Sequence, residues 1–227
     1  GDARPFDAEG DGTVLGEGIG VVVLKRWEDA VRDGDRIYSK ILSVGTSSDG
    51  KGAAIYAPTS PGQQRALRDG YELAGVSPET IQMVEAHGTG TAVGDATELK
   101  ALDELYRQSG SRPGSVALGS VKSQIGHTKA AAGAAGLIKA VLALHHKVQP
   151  PSLKIRRPLE TLEDSQSPFH VEETARPWVA KPGHPRRAAV SSFGFGGSNF
   201  HAVLEENQSS RSEADWLGVS DLIAFSA

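Results

Sequence analysis

Three segments of this 227-residue chain bring histidine, glycine and hydroxyl side chains together closely enough to do chemistry. The first is EAHGTGTAVGDATE, Glu85 to Glu98, in which His87 directly follows a strand-like run. Strand ends in α/β sheets are where ligand sites form, and glycines at 88, 90 and 94 let backbone come close to a ligand while Thr89 and Thr91 add hydroxyls. A lone histidine in that place reads equally as a satisfied structural residue. The second segment is SVKSQIGHTKAAAGAAG, Ser120 to Gly136, where Thr128 is placed to cap an Ala-rich helix and His127 stands just before it. The positive end of that helix disfavours imidazolium, so His127 is expected to be neutral, donating from one ring nitrogen, which suits a developing oxyanion or enolate. The helix's own alanines and glycines read as packing, which leaves His127 and Lys122 as the candidates here. The third segment is SSFGFGGSNFHAVLE, Ser191 to Glu205. Its Gly194, Gly196 and Gly197 make a turn whose N–H groups either point into a site or simply close a hairpin, and Phe195, an aromatic held between glycines, suits a gate over a pocket.

The other histidines read as structural or solvated: His145 and His146 close a helix, and His170, His184 and His201 lie outside the glycine turns. No HExxH or comparable spacing exists, so no metal site is expected. GxxxxGK[ST] and GxSxG are absent, and GEGIG at 16–20 does not complete GxGxxG because position 21 is Val. Zero cysteines exclude disulfides, thiolate-bound zinc and a cysteine nucleophile within this chain.

The elements that must position these residues alternate between helix and strand. The β-branched run Gly18 to Lys25 (GIGVVVLK) predicts a strand buried on both faces, Trp27 to Arg32 a short helical link and Arg36 to Ser47 a second strand. A helix over Gly62 to Ala74 leads to a strand over Thr80 to Ala86. A helix over Asp95 to Gln108 leads to a strand over Ser115 to Gly119, and a long helix over Thr128 to His146 follows. Val148 to Pro185 reads as mostly irregular, and strands Ala188 to Phe193 and Phe200 to Glu205 flank the glycine turn. The pattern predicts a layered α/β fold with a mixed sheet.

A net charge of −4 offers no basic field for nucleic acid or an anionic membrane surface. The most apolar stretch, Ala130 to Leu144, is broken by Lys139 and falls short of the roughly 20 apolar residues needed to cross a bilayer. The polar opening GDARPFDAEGDG has no leader character, so a cytoplasmic protein that starts in mid-domain is expected.

In this order, EAHGTGTAVGDATE, VKSQIGHTKAAAG and SSFGFGGSNFHAVLEE resemble the ketosynthase domain of polyketide and fatty acid synthases, and RPFDAEGDGTVLGEG at 4–18 continues the likeness. That family of β-ketoacyl synthases has a thiolase-like fold of two duplicated α/β halves. The resemblance implies the last strands of the first half over residues 1–50, the second half over 51–206, and a linker toward a following domain over 207–227. It further implies decarboxylative Claisen condensation, with His87 and His127 polarising a malonyl thioester and Lys122 and Glu98 supporting them. Thr89 and Thr91 would hydrogen-bond the phosphopantetheine arm, and Phe195 would gate the pocket beside the turn of Gly194, Gly196 and Gly197. The phosphopantetheine belongs to a partner acyl carrier protein, and no cofactor is expected on this chain itself. A homodimer and the N-terminal half of the domain are the other implied partners.

The family's nucleophilic cysteine would precede Gly1, so the chain reads as part of a larger synthase that is inactive alone and prone to aggregate through exposed core. A cysteine-free partner of the chain-length-factor kind is the alternative, against which both histidines stand. A thiolase or starter-type synthase and a decarboxylase without condensation are further readings. SSDGKGAAIYAP at 47–58 resembles the polyunsaturated fatty acid and enediyne synthases, and the ending LIAFSA the linker toward an acyltransferase.

Overall fold

The computed structural model describes residues 2–50, 58–180, 183–194 and 196–208. Most of SSDGKGAAIYAP, Phe195, and residues 209–227 with the LIAFSA ending lie outside them. In chain order the elements are α1 (Trp27–Asp33), β1 (Ser39–Ser48), α2 (Ser60–Ala74), β2 (Met83–Glu85), α3 (Ala92–Gln108), β3 (Val116–Gly119), α4 (Lys122–Ile125) and α5 (Ala132–His146). β4 (Val148–Gln149), α6 (Glu160–Glu163), β5 (Phe169–His170), β6 (Arg176–Pro177), β7 (Arg187–Gly194) and β8 (Ser198–Glu206) complete the described chain.

The principal sheet has six strands in the order β1-β8-β7-β2-β3-β5. β7, β2, β3 and β5 run parallel, while β8 is antiparallel to both β7 and β1. The expected mixed sheet is therefore present, and β1 pairs with β8 from Ser39 to Ser48 with one irregularity between Ile41 and Ser43. Period-two alternation sorts the side chains between two layers. Val84, Ala189 and Val203 face the layer of α2 and α3, with Leu67, Tyr71, Leu99, Leu102 and Tyr106. Met83, Ala188, Val190 and Leu204 face α5, with Ala140, Ala143 and Leu144. β2 is buried throughout, as the run TIQMVEA requires, so Glu85 shares the α5 face with Met83 two residues earlier.

Two expectations fail. Gly18 to Lys25 forms no strand: Ile19 is 96% and Val23 94% exposed. The run has the composition of a buried strand, but a strand also needs hydrogen-bonding neighbours, and the described residues supply none. The long helix starts at Ala132 rather than after Thr128, because Lys129 takes φ +54° and residues 129–131 turn as a 3₁₀ helix. Thr128 caps nothing, and its buried hydroxyl has no partner among the described residues. No described helix is long and apolar enough to cross a membrane.

Candidate active site

β2 and β3 lie side by side and end together, Glu85 opposite Gly119, so the loops that leave them meet above the sheet. One loop carries His87 to Thr91 and the other Ser120 to Thr128. The first is shaped by two carboxylates one turn apart on α3. Asp95 accepts from the backbone N–H groups of Phe6 (2.8 Å), Thr89 (2.9 Å) and Gly90 (3.1 Å), and Glu98 from those of His87 (2.7 Å) and Gly88 (2.8 Å). The loop's donors are thus satisfied without secondary structure. Gly88 is required: its φ is +41°, and a Cβ there would stand 2.8 Å from that of Ser120. Both carboxylates are buried, and burial raises them; for Glu98 it does so to about 7, helped by the charge of Asp95 and opposed by the Gly88 and His87 N–H groups and by Lys122.

The His87 and His127 rings stand edge to face, with centroids 5.7 Å apart. Lys122, itself buried, donates its ammonium to the His87 carbonyl at 2.5 Å. Burial, then the Lys122 charge and His127, hold the His87 imidazole neutral by lowering it to about 3. Its Nδ1 is buried with no partner among the described residues. His127 is also lowered, first by burial and then by Lys122. The expected neutrality is present, but its cause is not a helix end: α5 begins five residues later. His127 Nδ1 accepts from the N–H of Lys129 at 3.0 Å, which assigns the ring proton to Nε2. The His127 backbone is held by the N-terminal segment, donating to Val14 O at 2.7 Å and accepting from Gly16 N at 3.0 Å.

Thr89 and Thr91 share a hydrogen bond between their hydroxyls at 2.9 Å, and the bare Gly94 leaves room for both. The glycine turn closes the β7–β8 hairpin. The Gly197 N–H donates to Gly194 O within the turn, Gly197 O accepts from Asp49 N, and Gly196 has φ +87°. Phe195 lies outside the described residues, and the aromatic that packs on His87 is Phe193, at 6.1 Å between ring centroids. The remaining histidines are placed elsewhere. His201 is fully buried between Ser191 Oγ (3.0 Å) and Tyr71 OH (2.9 Å), His170 meets Glu172, His145 packs beside Tyr38, and His184 is exposed. No metal-binding cluster occurs among the described residues.

Four participants escaped the sequence reading: Asp95, Phe193, Glu85 and Lys139. Asp95 stands three residues before Glu98, and Lys139 is the lone charge in an apolar helix. Both were readable signals of a buried partner.

Residues 38–156 match the family described as Beta-ketoacyl synthase, C-terminal domain, residues 1–30 its N-terminal domain, and residues 160–227 a ketoacyl-synthetase C-terminal extension. The chain belongs to the β-ketoacyl synthase family. Among curated β-ketoacyl synthase relatives, a polyunsaturated fatty acid synthase of Thraustochytrium sp. is 47% identical over 216 residues, 93% of this chain and 8% of that protein. Polyketide synthase PksL of Bacillus subtilis is 46% identical over 92% of this chain and 5% of its own length. The solved ketosynthase from module 6 of the bacillaene synthase from B. subtilis superposes with TM-score 0.88 at 46% identity, covering 92% of this chain and 38% of that one. The fold is therefore the thiolase-like fold of ketosynthase domains, of which this chain spans a little over a third of the length.

Proposed function

We propose that this chain is the C-terminal portion of a ketosynthase that joins an acyl thioester to a malonyl unit by decarboxylative Claisen condensation. The observation that carries the reading is the pair of imidazoles 5.7 Å apart on the two loops that leave parallel strands β2 and β3, beside a buried lysine. Loss of CO2 breaks the bond between the malonyl carboxylate carbon and the α-carbon, and the electron pair moves into the thioester carbonyl. The resulting enolate oxygen accepts from His127 Nε2–H and from His87, donors that are in place before charge develops. The enolate carbon then attacks the acyl thioester carbonyl, forming the new carbon–carbon bond and expelling a thiolate. With no cysteine in this chain, that thioester sits on the N-terminal half of the domain, and the chain alone makes no acyl-enzyme.

The exposed run Ile19 to Leu24, within the stretch matching the family's N-terminal domain, fits a strand whose neighbours that half supplies. On this reading residues 1–50 finish the first half, 51–206 form the second, and 207–227 lead to a following domain. The Thr89–Thr91 pair, partly exposed beside His87, fits the phosphopantetheine arm of an acyl carrier protein, and the intact domain works as a dimer. A partner protein of the chain-length-factor kind is a second reading, favoured by the likeness to the solved PfaC Keto synthase-Chain length factor (TM-score 0.82, 40% identical).

In the intact ketosynthase, His127→Ala or His87→Ala is expected to slow CO2 release from malonyl-carrier protein about 100-fold while acyl loading persists. Unchanged CO2 release would sink the histidine assignment. A coding sequence with no cysteine in the N-terminal half would favour the chain-length-factor reading.

A further inference from the structure

Glu85 and Lys139 form an ion pair at 2.7 Å, with side chains 1% and 11% exposed, and the condensation described above uses neither. Buried pairs contribute little net stability over apolar residues of the same volume, so the presence of one beside a reaction centre points to a second role. The surroundings are built for it. Gly136 of α5 is bare where a Cβ would lie 3.1 Å from Glu85 Cγ, so the helix passes close over the carboxylate.

The contacts of Glu85 show what the pair holds. Oε2 takes the ammonium of Lys139 on α5, and Oε1 takes the N–H of Val121 at 2.6 Å, where β3 turns into α4. Val121 precedes Lys122, whose ammonium reaches back to the carbonyl of His87, two residues beyond Glu85. Backbone from Glu85 to His87, the Lys122 bond, backbone to Val121 and the Glu85 bond make a closed ring through both loops of the site. Lys139 fastens that ring to α5, and the turn that feeds α5 carries His127. A slip of Glu85 would change how His87 and His127 lie relative to each other.

Resting on the reading of the histidine pair above, we propose that Glu85 and Lys139 are positioning residues that fix the spacing and orientation of His87 and His127 for decarboxylation. They touch no reacting atom. Their removal leaves acyl loading on the N-terminal half intact and lowers the turnover of the malonyl step.

The test uses the intact ketosynthase with Glu85→Gln/Lys139→Met, which removes both charges and so leaves no buried ion unpaired, and with Lys139→Arg, which keeps the charge. Acyl loading, kcat and KM for CO2 release from malonyl-carrier protein, and Tm are measured for each. The double variant is expected to load normally, keep KM within twofold and lose about 10- to 100-fold in decarboxylation kcat, the scale of a displacement near 1 Å. Lys139→Arg is expected to stay within threefold of the parent in kcat. Wild-type kcat in the double variant, or an equal fall in loading and decarboxylation, overturns the proposal. Should the double variant not fold, Glu85→Gln alone, which keeps an acceptor for the Val121 N–H and leaves the charge on the less buried Lys139, decides at temperatures below its Tm by the same split between loading and decarboxylation. His127→Ala separates the two ideas: if it decarboxylates normally, the histidine reading and this proposal both fall, and if it is inactive while the pair variants are normal, only the pair falls.

Discussion

Asp95→Asn tests whether the His87 loop is shaped by α3. The carboxylate serves three N–H groups, two buried and that of Thr89 half-buried: Oδ2 takes Phe6 and a shared bond from Gly90, and Oδ1 takes Thr89 and the other half of the Gly90 bond. Asparagine keeps the volume but has one carbonyl oxygen, and its NH2 must face N–H groups, so at least one donor loses its acceptor. Each buried donor left unmade costs about 1–3 kcal/mol, which places Asp95→Asn near 2 kcal/mol and Asp95→Ala, with three orphans and some water entry, at about 3–5 kcal/mol. Because this chain covers only 38% of a solved ketosynthase, the intact domain unfolds with a large entropy, and 2 kcal/mol corresponds to a Tm lower by only about 2 °C. Urea unfolding and thermal scans of the intact ketosynthase read the stability, and malonyl decarboxylation at a temperature well below Tm reads the loop. Activity should fall more than the folded fraction does, because the same bonds place the His87 backbone. A change under about 0.5 kcal/mol for Asp95→Asn would refute the reasoning, since a buried donor cannot lose its acceptor that cheaply.

Two further outcomes follow from local geometry. Gly88→Ala combines φ +41° with a Cβ 2.8 Å from Ser120 Cβ and 3.0 Å from Phe6 Cε2, so a loss of about 1–3 kcal/mol and impaired decarboxylation are expected from calorimetry and CO2 release; an unchanged Tm counts against the tight packing of that loop. His201 is fully buried, and burial lowers it to about 3, below its ordinary 6.5. Between those values the unfolded chain binds a proton that the folded chain does not, so stability is complete above pH 6.5 and declines as pH falls, by about 1.4 kcal/mol per unit. His201→Gln should flatten the dependence of unfolding free energy on pH between 5 and 7 relative to the parent, and parallel slopes would contradict a buried neutral His201.

The layered α/β plan was legible because helix and strand periods alternate cleanly from Gly62 to Gly119, and β7 and β8 extend the expected hairpin strands by only a residue or two. The failures have specific causes. Gly18 to Lys25 carries strand composition, but pairing is a property of two segments. The start of α5 was misplaced because a left-handed lysine is invisible to apolar spacing. His87, His127 and Lys122 stood out because they sit inside glycine-marked motifs, Glu98 was named through the family resemblance, and the structure brings the four together. Asp95 and Lys139 signalled only that a charge needed a buried partner, and the partners of these two and of Glu85 were not legible, because they are backbone N–H groups or each other across distances such as the 89 residues from Phe6 to Asp95.

The protonation of the histidines and the shape of their loops follow from one arrangement of charge. The proposed enolate site needs imidazoles that are neutral yet able to donate; burial lowers both, and the buried Lys122 cation disfavours their protonation further. Burying Lys122 is itself unfavourable, and burial does lower it, but the carboxylates of Glu98, Glu85 and Asp95 oppose that shift. Burial raises all three carboxylates, and the groups they organise oppose that shift: the N–H groups of Phe6, Thr89 and Gly90 at Asp95, those of Gly88 and His87 at Glu98, and Lys139 with the Val121 N–H at Glu85. Removing any carboxylate therefore disturbs loop geometry and histidine protonation together. Mutational effects at Asp95, Glu98 and Glu85 should accordingly be non-additive when combined, since each shares Lys122 as a partner.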